Sequence, residues 1–213
     1  MNELRDRALG DGWRKLVVDG LTATPVDLKR GASVKLVDGP RTETIAREDW
    51  PERLDGCAPP DVQREAFAWH IDLAKRCRKP LMIHNREADA EVLDVLRAEG
   101  APDTVIFHCF SSGPDMARAC VDGGWLVSLS GTVSFRNAGE LREAVPLIPE
   151  AQLLVETDAP FLTPHPHRGA PNEPYCLPYT VRALAELVDR PAEELAEVTT
   201  GNARGAYGLA VRG

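Results

Sequence analysis

The sequence predicts an α/β fold in which short parallel strands alternate with helices and bring polar residues to a common rim, and three observations carry this. Pro80-Leu-Met-Ile83 runs apolar into His84, Thr104-Val-Ile-Phe107 runs apolar into His108, and Leu153-Leu-Val155 runs into Glu156 and Asp158 before Pro160 forbids continuation. Stretches of helical period, Glu87 to Glu99 and Asp115 to Asp122, follow the first two strands. The 24 residues from His84 to His108 suit one βα unit with its loops. Parallel strands share one C-terminal rim, so His84, His108 and Asp158 are expected to converge there.

In chain order, residues 1–56 are the least regular. Lys15-Leu-Val-Val18 and Ser33-Val-Lys-Leu-Val37 read as strands without a helical segment between them, and no histidine occurs before His70. From Asp61, a plausible N-cap, a helix is expected through Arg78 with Val62, Ala66, Trp69, Leu73 and Cys77 facing the sheet. The helix from Glu87 to Glu99 places Ala88, Val92, Val95 and Leu96 on one face and stops at Gly100. Trp125 to Ser130 reads as a further strand and Ala138 to Val145 as a helix. Thr163 to Tyr179, rich in Pro, His, Gly and Asn, is a long loop of the functional kind. Tyr179 to Val188 and Pro191 to Thr199 are helices, and Asn202 to Tyr207 adds a turn.

At 213 residues with 43% apolar and 27% charged side chains, the chain is a soluble globular protein with one substantial core. Its net charge of −8 offers no basic footprint for stable nucleic-acid binding, and leaves room for transient contact with phosphate through a metal. Five cysteines without a Cys-x-x-Cys pair, and a charged N-terminus without a signal-peptide or membrane-spanning run, predict reduced thiols, a cytoplasmic protein and no membrane contact.

The strands number four after residue 56 and two before it, short of the eight that close a (β/α) barrel. Residues 57 to about 210 resemble the TatD-type metal-dependent deoxyribonucleases, which are amidohydrolase-like TIM barrels. The likeness runs through Gln63-Arg-Glu-Ala-Phe67, Lys79-Pro-Leu-Met-Ile-His84-Asn-Arg86, Ile106-Phe-His108-Cys-Phe-Ser111, Ser128-Leu-Ser-Gly-Thr-Val-Ser-Phe135 and Leu153-Leu-Val-Glu-Thr-Asp-Ala-Pro-Phe-Leu-Thr-Pro164. The resemblance implies a TIM-barrel type α/β fold, incomplete or distorted on its N-terminal side. Residues 1–56 then form an atypical segment and 57–213 the barrel portion of a metal hydrolase. It also implies that His84, His108 and Asp158 bind one or two divalent ions (Zn, Mn or Mg) and that the substrate is DNA or a small phosphodiester. Two family features are missing: a His-x-His pair on the first strand, and a glycine-flanked bridging glutamate, for which Glu43 is a weak substitute.

Taken one at a time, His84, His108 and Asp158 could equally be hydrogen-bonded residues at strand ends; three on one rim favour a metal. Two imidazoles and a carboxylate suffice for one ion and favour zinc or manganese over magnesium. Asp158 could serve as both ligand and proton acceptor, and Glu156 could orient a ligand or bond its own loop. Arg86 is either a phosphate clamp or a solvated arginine at a helix start. Arg168 and Asn172 either approach substrate or pin the long loop. His165, His167 and His70 read as ordinary loop or helix residues, and Cys109 lacks the neighbours of a nucleophile. The expected function is metal-dependent DNA phosphodiester hydrolysis, with the missing N-terminal features counting against full activity. The alternatives are a non-catalytic remnant that associates with other chains and, on the same donor set, a mononuclear iron oxygenase.

Overall fold

The computed structural model describes the backbone of residues 15–19, 33–38 and 41–45 and the whole of residues 60–209. The chain divides into two compact units, Met1–Gln63 and Arg64–Gly213. In the first, β1 (Lys15–Asp19), β2 (Ser33–Asp38) and β3 (Arg41–Ile45) form an antiparallel sheet in that order. The first two are the strands expected from sequence. The third, Arg41-Thr-Glu-Thr-Ile45, escaped the apolar-run criterion because its strand character comes from β-branched threonines. Glu43 lies in β3 opposite Leu36, and its side chain is outside the described residues, as is Cys57.

The second unit is built on a parallel sheet in sequential order: β4 (Leu81–His84), β5 (Val105–His108), β6 (Leu126–Leu129) and β7 (Leu153–Val155). These are the four strands read from sequence. They alternate with α1 (Pro60–Cys77), α2 (Asp89–Glu99), α3 (Pro114–Asp122) and α4 (Gly139–Ala144), and α5 (Leu177–Val188) and α6 (Ala192–Tyr207) complete the layer. The helix expected over Pro191 to Thr199 and the turn expected at Asn202 to Tyr207 are one continuous α6.

Register decides what each face does. Leu81 pairs with Val105, Ile83 with Phe107, Phe107 with Val127, and Val127 with Leu153. These residues join Ile71, Val95, Leu96, Met116, Leu141, Leu184 and Leu195 of the helices in one core cluster. The alternate positions share the opposite face: Met82 beside Ile106, His84 beside His108, Ser128 beside Leu154. Met82, on edge strand β4, is 51% exposed, whereas its partner Ile106 is fully buried.

The face of α1 differs from the expectation. Trp69 is 55% exposed, and Val62 and Cys77 are exposed as well; the buried residues are Ile71 and Ala74, with Phe67 packed against the core. Phe67, Ile71 and Ala74 are spaced i, i+4, i+7, so the sequence offers two helical stripes, and the one through Ile71 faces the sheet. The helix already begins at Pro60, which puts Asp61 in its first turn. There its carboxylate meets the positive end of the helix dipole. Gly100 stops α2 at φ +72°, as its position after Glu99 implied.

The loop after β7 is fixed by polar contacts and one close approach. Asn172 Nδ2 donates to the carbonyls of Thr157 (2.6 Å) and Phe161 (2.5 Å), and its backbone N–H donates to Pro160 O at 3.0 Å. Thr163 Oγ1 donates to Ala170 O at 2.6 Å. The loop passes so near Gly131 that a Cβ there would stand 1.9 Å from Leu162 O. The peptide bonds before Pro160 and Pro166 are cis. No helix among the described residues is long and apolar enough to cross a membrane.

Phe107, almost fully buried with its ring centroid 5.6 Å from that of Trp125, is the largest anchor of the helix-side core. Phe107→Ala should lower unfolding free energy by about 3–5 kcal/mol, measured as an earlier urea midpoint at unchanged slope.

Candidate metal centre

β5 ends at His108 and β7 ends just before Glu156, whose backbone N–H continues the ladder by donating to Leu129 O at 3.0 Å. Both side chains therefore arrive at the same rim. Asp158 lies beyond the strand at φ +56°, a conformation that aspartate tolerates better than most residues because its short polar side chain can bond locally.

His108 sits between the two carboxylates. Its Nδ1 stands 2.7 Å from Glu156 Oε1 and its Nε2 stands 3.6 Å from Asp158 Oδ1. Glu156 Oε2 accepts a very short hydrogen bond from Ser128 Oγ. Although Nδ1 is close to Oε1, that buried oxygen lacks a well-directed hydrogen bond, so proximity rather than alignment holds the pair. One donor atom each from His108, Glu156 and Asp158 lies within 4.8 Å of the others. The rings of His84 and His108 are 5.9 Å apart between centroids and tilted by 43°. His84 is thus adjacent to the compact group without belonging to it, and its exposed ring stands at the end of edge strand β4.

Chemically, this is an imidazole with its two nitrogens differently placed. If Nδ1 carries the proton toward Glu156, the Nε2 lone pair points into the space shared with Asp158. A separation of 3.6 Å is too long for a hydrogen bond. It is close to the roughly 3.4 Å that separates two ligands held at ~2.0–2.1 Å around a tetrahedral ion. The donor set therefore fits a divalent cation at Nε2 of His108 and the Asp158 carboxylate, with the His84 ring beside them.

Arg86 is mostly exposed and pairs with Glu87 at 3.3 Å. Arg168 stacks over the Phe135 ring at 4.2 Å, and Asn172 pins the loop as described. His165 meets Phe135 edge-on, and His167 meets Tyr179 with centroids 4.6 Å apart. His70 Nδ1 lies 2.6 Å from Ala66 O within α1. Ser128, which seats Glu156, enters the sequence reading only as the first residue of the Ser128–Phe135 motif, with no role of its own; its further signal is a hydroxyl interrupting the apolar run of β6.

Cys109 takes φ +47° directly after His108, and its Sγ lies 3.3 Å from Ser130 Oγ. Burial, reinforced by Asp158 and Glu156 and opposed by the Ser130 bond and Arg86, pushes its thiol up to about 11. Burial likewise pushes Cys120 up to about 12. These thiols stay protonated where an unfolded chain, near 9.0, begins to ionise. Their contribution to stability is therefore intact below pH about 9 and declines as pH rises through about 11 to 12. Near neutral pH, exposed Cys77 should react with iodoacetamide while Cys109 and Cys120 remain unlabelled until the protein is unfolded, as read by peptide mass spectrometry.

Fold and site together define an α/β protein whose strand-end rim gathers nitrogen and oxygen donors. The family model TatD related DNase matches residues 52–208, and the chain belongs to that family of metal-dependent hydrolases. It is 72% identical over 187 residues to the metal-dependent hydrolase TatD of Mycobacterium tuberculosis, covering 86% of this chain and 71% of that one. The metal-dependent hydrolase YabD of Bacillus subtilis is 44% identical, over 69% of this chain and 58% of its own length. The 3'-5' ssDNA/RNA exonuclease TatD of Erwinia amylovora is 36% identical, over 70% and 60% respectively. The crystal structure of YJJV, a TatD homolog from Escherichia coli K12, superposes with a TM-score of 0.64 at 28% identity, covering 72% of this chain and 61% of that one. This chain thus spans little more than half the length of several curated relatives, and the TIM-barrel type is represented in its described part by four parallel strands.

Proposed function

We propose that this chain holds a divalent ion between His108 and Asp158, with His84 as a further ligand, and hydrolyses phosphodiester bonds of DNA. The observation that carries this reading is the placement of His108, with one ring nitrogen against Glu156 and the other open toward Asp158. Such an ion, when bound, supplies Lewis acidity toward water and toward a phosphoryl oxygen. Asp158 accepts the proton that water gives up, and the Glu156 carboxylate, 2.7 Å from Nδ1, favours the His108 tautomer whose Nε2 is free to ligate. Arg86, exposed and shared only with Glu87 among the described residues, is the residue proposed to meet the phosphate. The name of the Erwinia relative supports a single-stranded nucleic acid as substrate, and the net charge of −8 fits a contact made through metal and not through a basic surface. Imidazole ligation favours zinc or manganese, and the described donors suffice for one ion per chain; a second would need ligands outside them. Free thiols at Cys77, Cys109, Cys120 and Cys176 support a reducing, cytoplasmic setting.

A 3'-labelled single-stranded oligonucleotide should shorten when incubated with the full chain and Mn²⁺ or Mg²⁺. Asp158→Asn should reduce that rate by about 10²-fold or more. An oligonucleotide left intact by the metal-loaded chain would overturn the hydrolytic reading. Glu156→Gln should weaken Mn²⁺ or Zn²⁺ binding about 10- to 100-fold by calorimetry while the fold survives, because only the orientation of His108 is lost. A second reading, a non-catalytic protein of the same fold, is favoured by the absence of any histidine before His70. It predicts no cleavage even where metal binds.

A further inference from the structure

His108 stands between two carboxylates, but His84 does not: it is exposed, and no hydrogen bond or ion pair among the described residues holds its ring. Its position depends on the backbone of β4, an edge strand, and the ladder that pairs β4 with β5 ends at His84 itself. One residue further on, a closed polar triangle takes over. Asn85 Nδ2 donates to Asp89 Oδ1 at 2.6 Å and lies 3.4 Å from Ser112 Oγ, while Ser112 Oγ donates to the same Asp89 oxygen at 2.8 Å. Asn85 belongs to the loop after β4, Asp89 to the first turn of α2, and Ser112 to the loop after β5. The triangle therefore ties together the two loops that follow the two histidines.

The chemistry fixes its sense. A carboxylate only accepts, so the amide of Asn85 must turn its NH₂ toward Asp89, and its carbonyl oxygen is left buried without a partner. Asn85 is 8% exposed, so among the described residues Asp89 and Ser112 are what its NH₂ group meets in place of water. Asp89 in turn sits in the first turn of α2, where a negative charge is favoured.

We infer that Asp89 and Ser112 are positioning residues: through Asn85 they hold the end of β4 against the end of β5, and so set the distance from His84 to His108 at which both can reach one cation. This rests on the proposal that the two histidines share an ion, and the test separates the two ideas. Ser112→Ala removes the contact between loops while leaving Asn85, Asp89 and the start of α2 in place. It should weaken Zn²⁺ binding by the full chain about 10-fold, the lower end of what outer-shell partners contribute, and Ser112→Thr, which keeps the hydroxyl, should restore it. In the metal-free protein, nitrogen-detected NMR of the imidazoles should show the His84 ring broadened or averaged in Ser112→Ala and sharp in Ser112→Thr, with His108 unchanged in both. If the His84 signals are the same in wild type and Ser112→Ala, the positioning role is overturned whether or not metal binds. If they change as expected while the wild type takes up no Zn²⁺, the shared-ion reading fails and the coupling between the loops stands.

Discussion

Side chains along a strand alternate between faces, and the parallel register of β4 to β7 carries that alternation across the sheet without a break. Everything else in the second unit follows from it. Leu81, Val105, Val127 and Leu153 begin one face, and it closes against the helices as a continuous apolar layer. The other face ends in His84, His108 and, through the continued ladder, Glu156. A slip of one residue in β4, β5 or β7 would put imidazole or carboxylate into the helix layer, and so hydrophobic packing on one side specifies polar geometry on the other.

That geometry has an electrostatic cost which the structure meets locally. Glu156 is largely withdrawn from water, and a carboxylate so placed needs donors. Ser128 of β6 gives it a hydroxyl, and His108 gives it a ring nitrogen at close range. The ring that makes the buried acid tolerable is thereby held beside it, with its other nitrogen toward Asp158. Packing and site geometry are therefore coupled at Glu156, whereas Asp158 stands on a turn past the strand.

Much of this arrangement was legible in the chain because strands buried on both faces leave continuous apolar runs, and each of these runs ends in a residue of unlike chemistry. His84, His108 and Asp158 announced themselves in that way. The α1 face was misread because Val62 and Trp69 keep helical period with Ala66 as well as Ile71 keeps it with Phe67, and only packing against the sheet distinguishes the two stripes. The adjacency of His84 without inclusion in the compact group could not be read either, since it depends on ring placement at a sheet edge. Ser128, Asp89 and Ser112 are common polar residues whose importance lies in which loop they face, and sequence spacing does not encode that. The antiparallel pairing of β1 to β3 was hidden for a different reason: β3 has only one large apolar residue, so the sequence suggested separate strands and not a sheet of their own.

At Gly131, where the loops after β6 and β7 cross, the absent side chain does the work of a spacer. Leu162 O occupies the place a methyl group would take, with Pro164 N 2.8 Å from it, so no other amino acid fits without parting the two loops. By contrast, Gly139 and Gly201 have open space around them. Over many generations of sequence drift, the crossing should stay invariant while those glycines wander, giving the rim a rigid keystone around which loop composition can diversify.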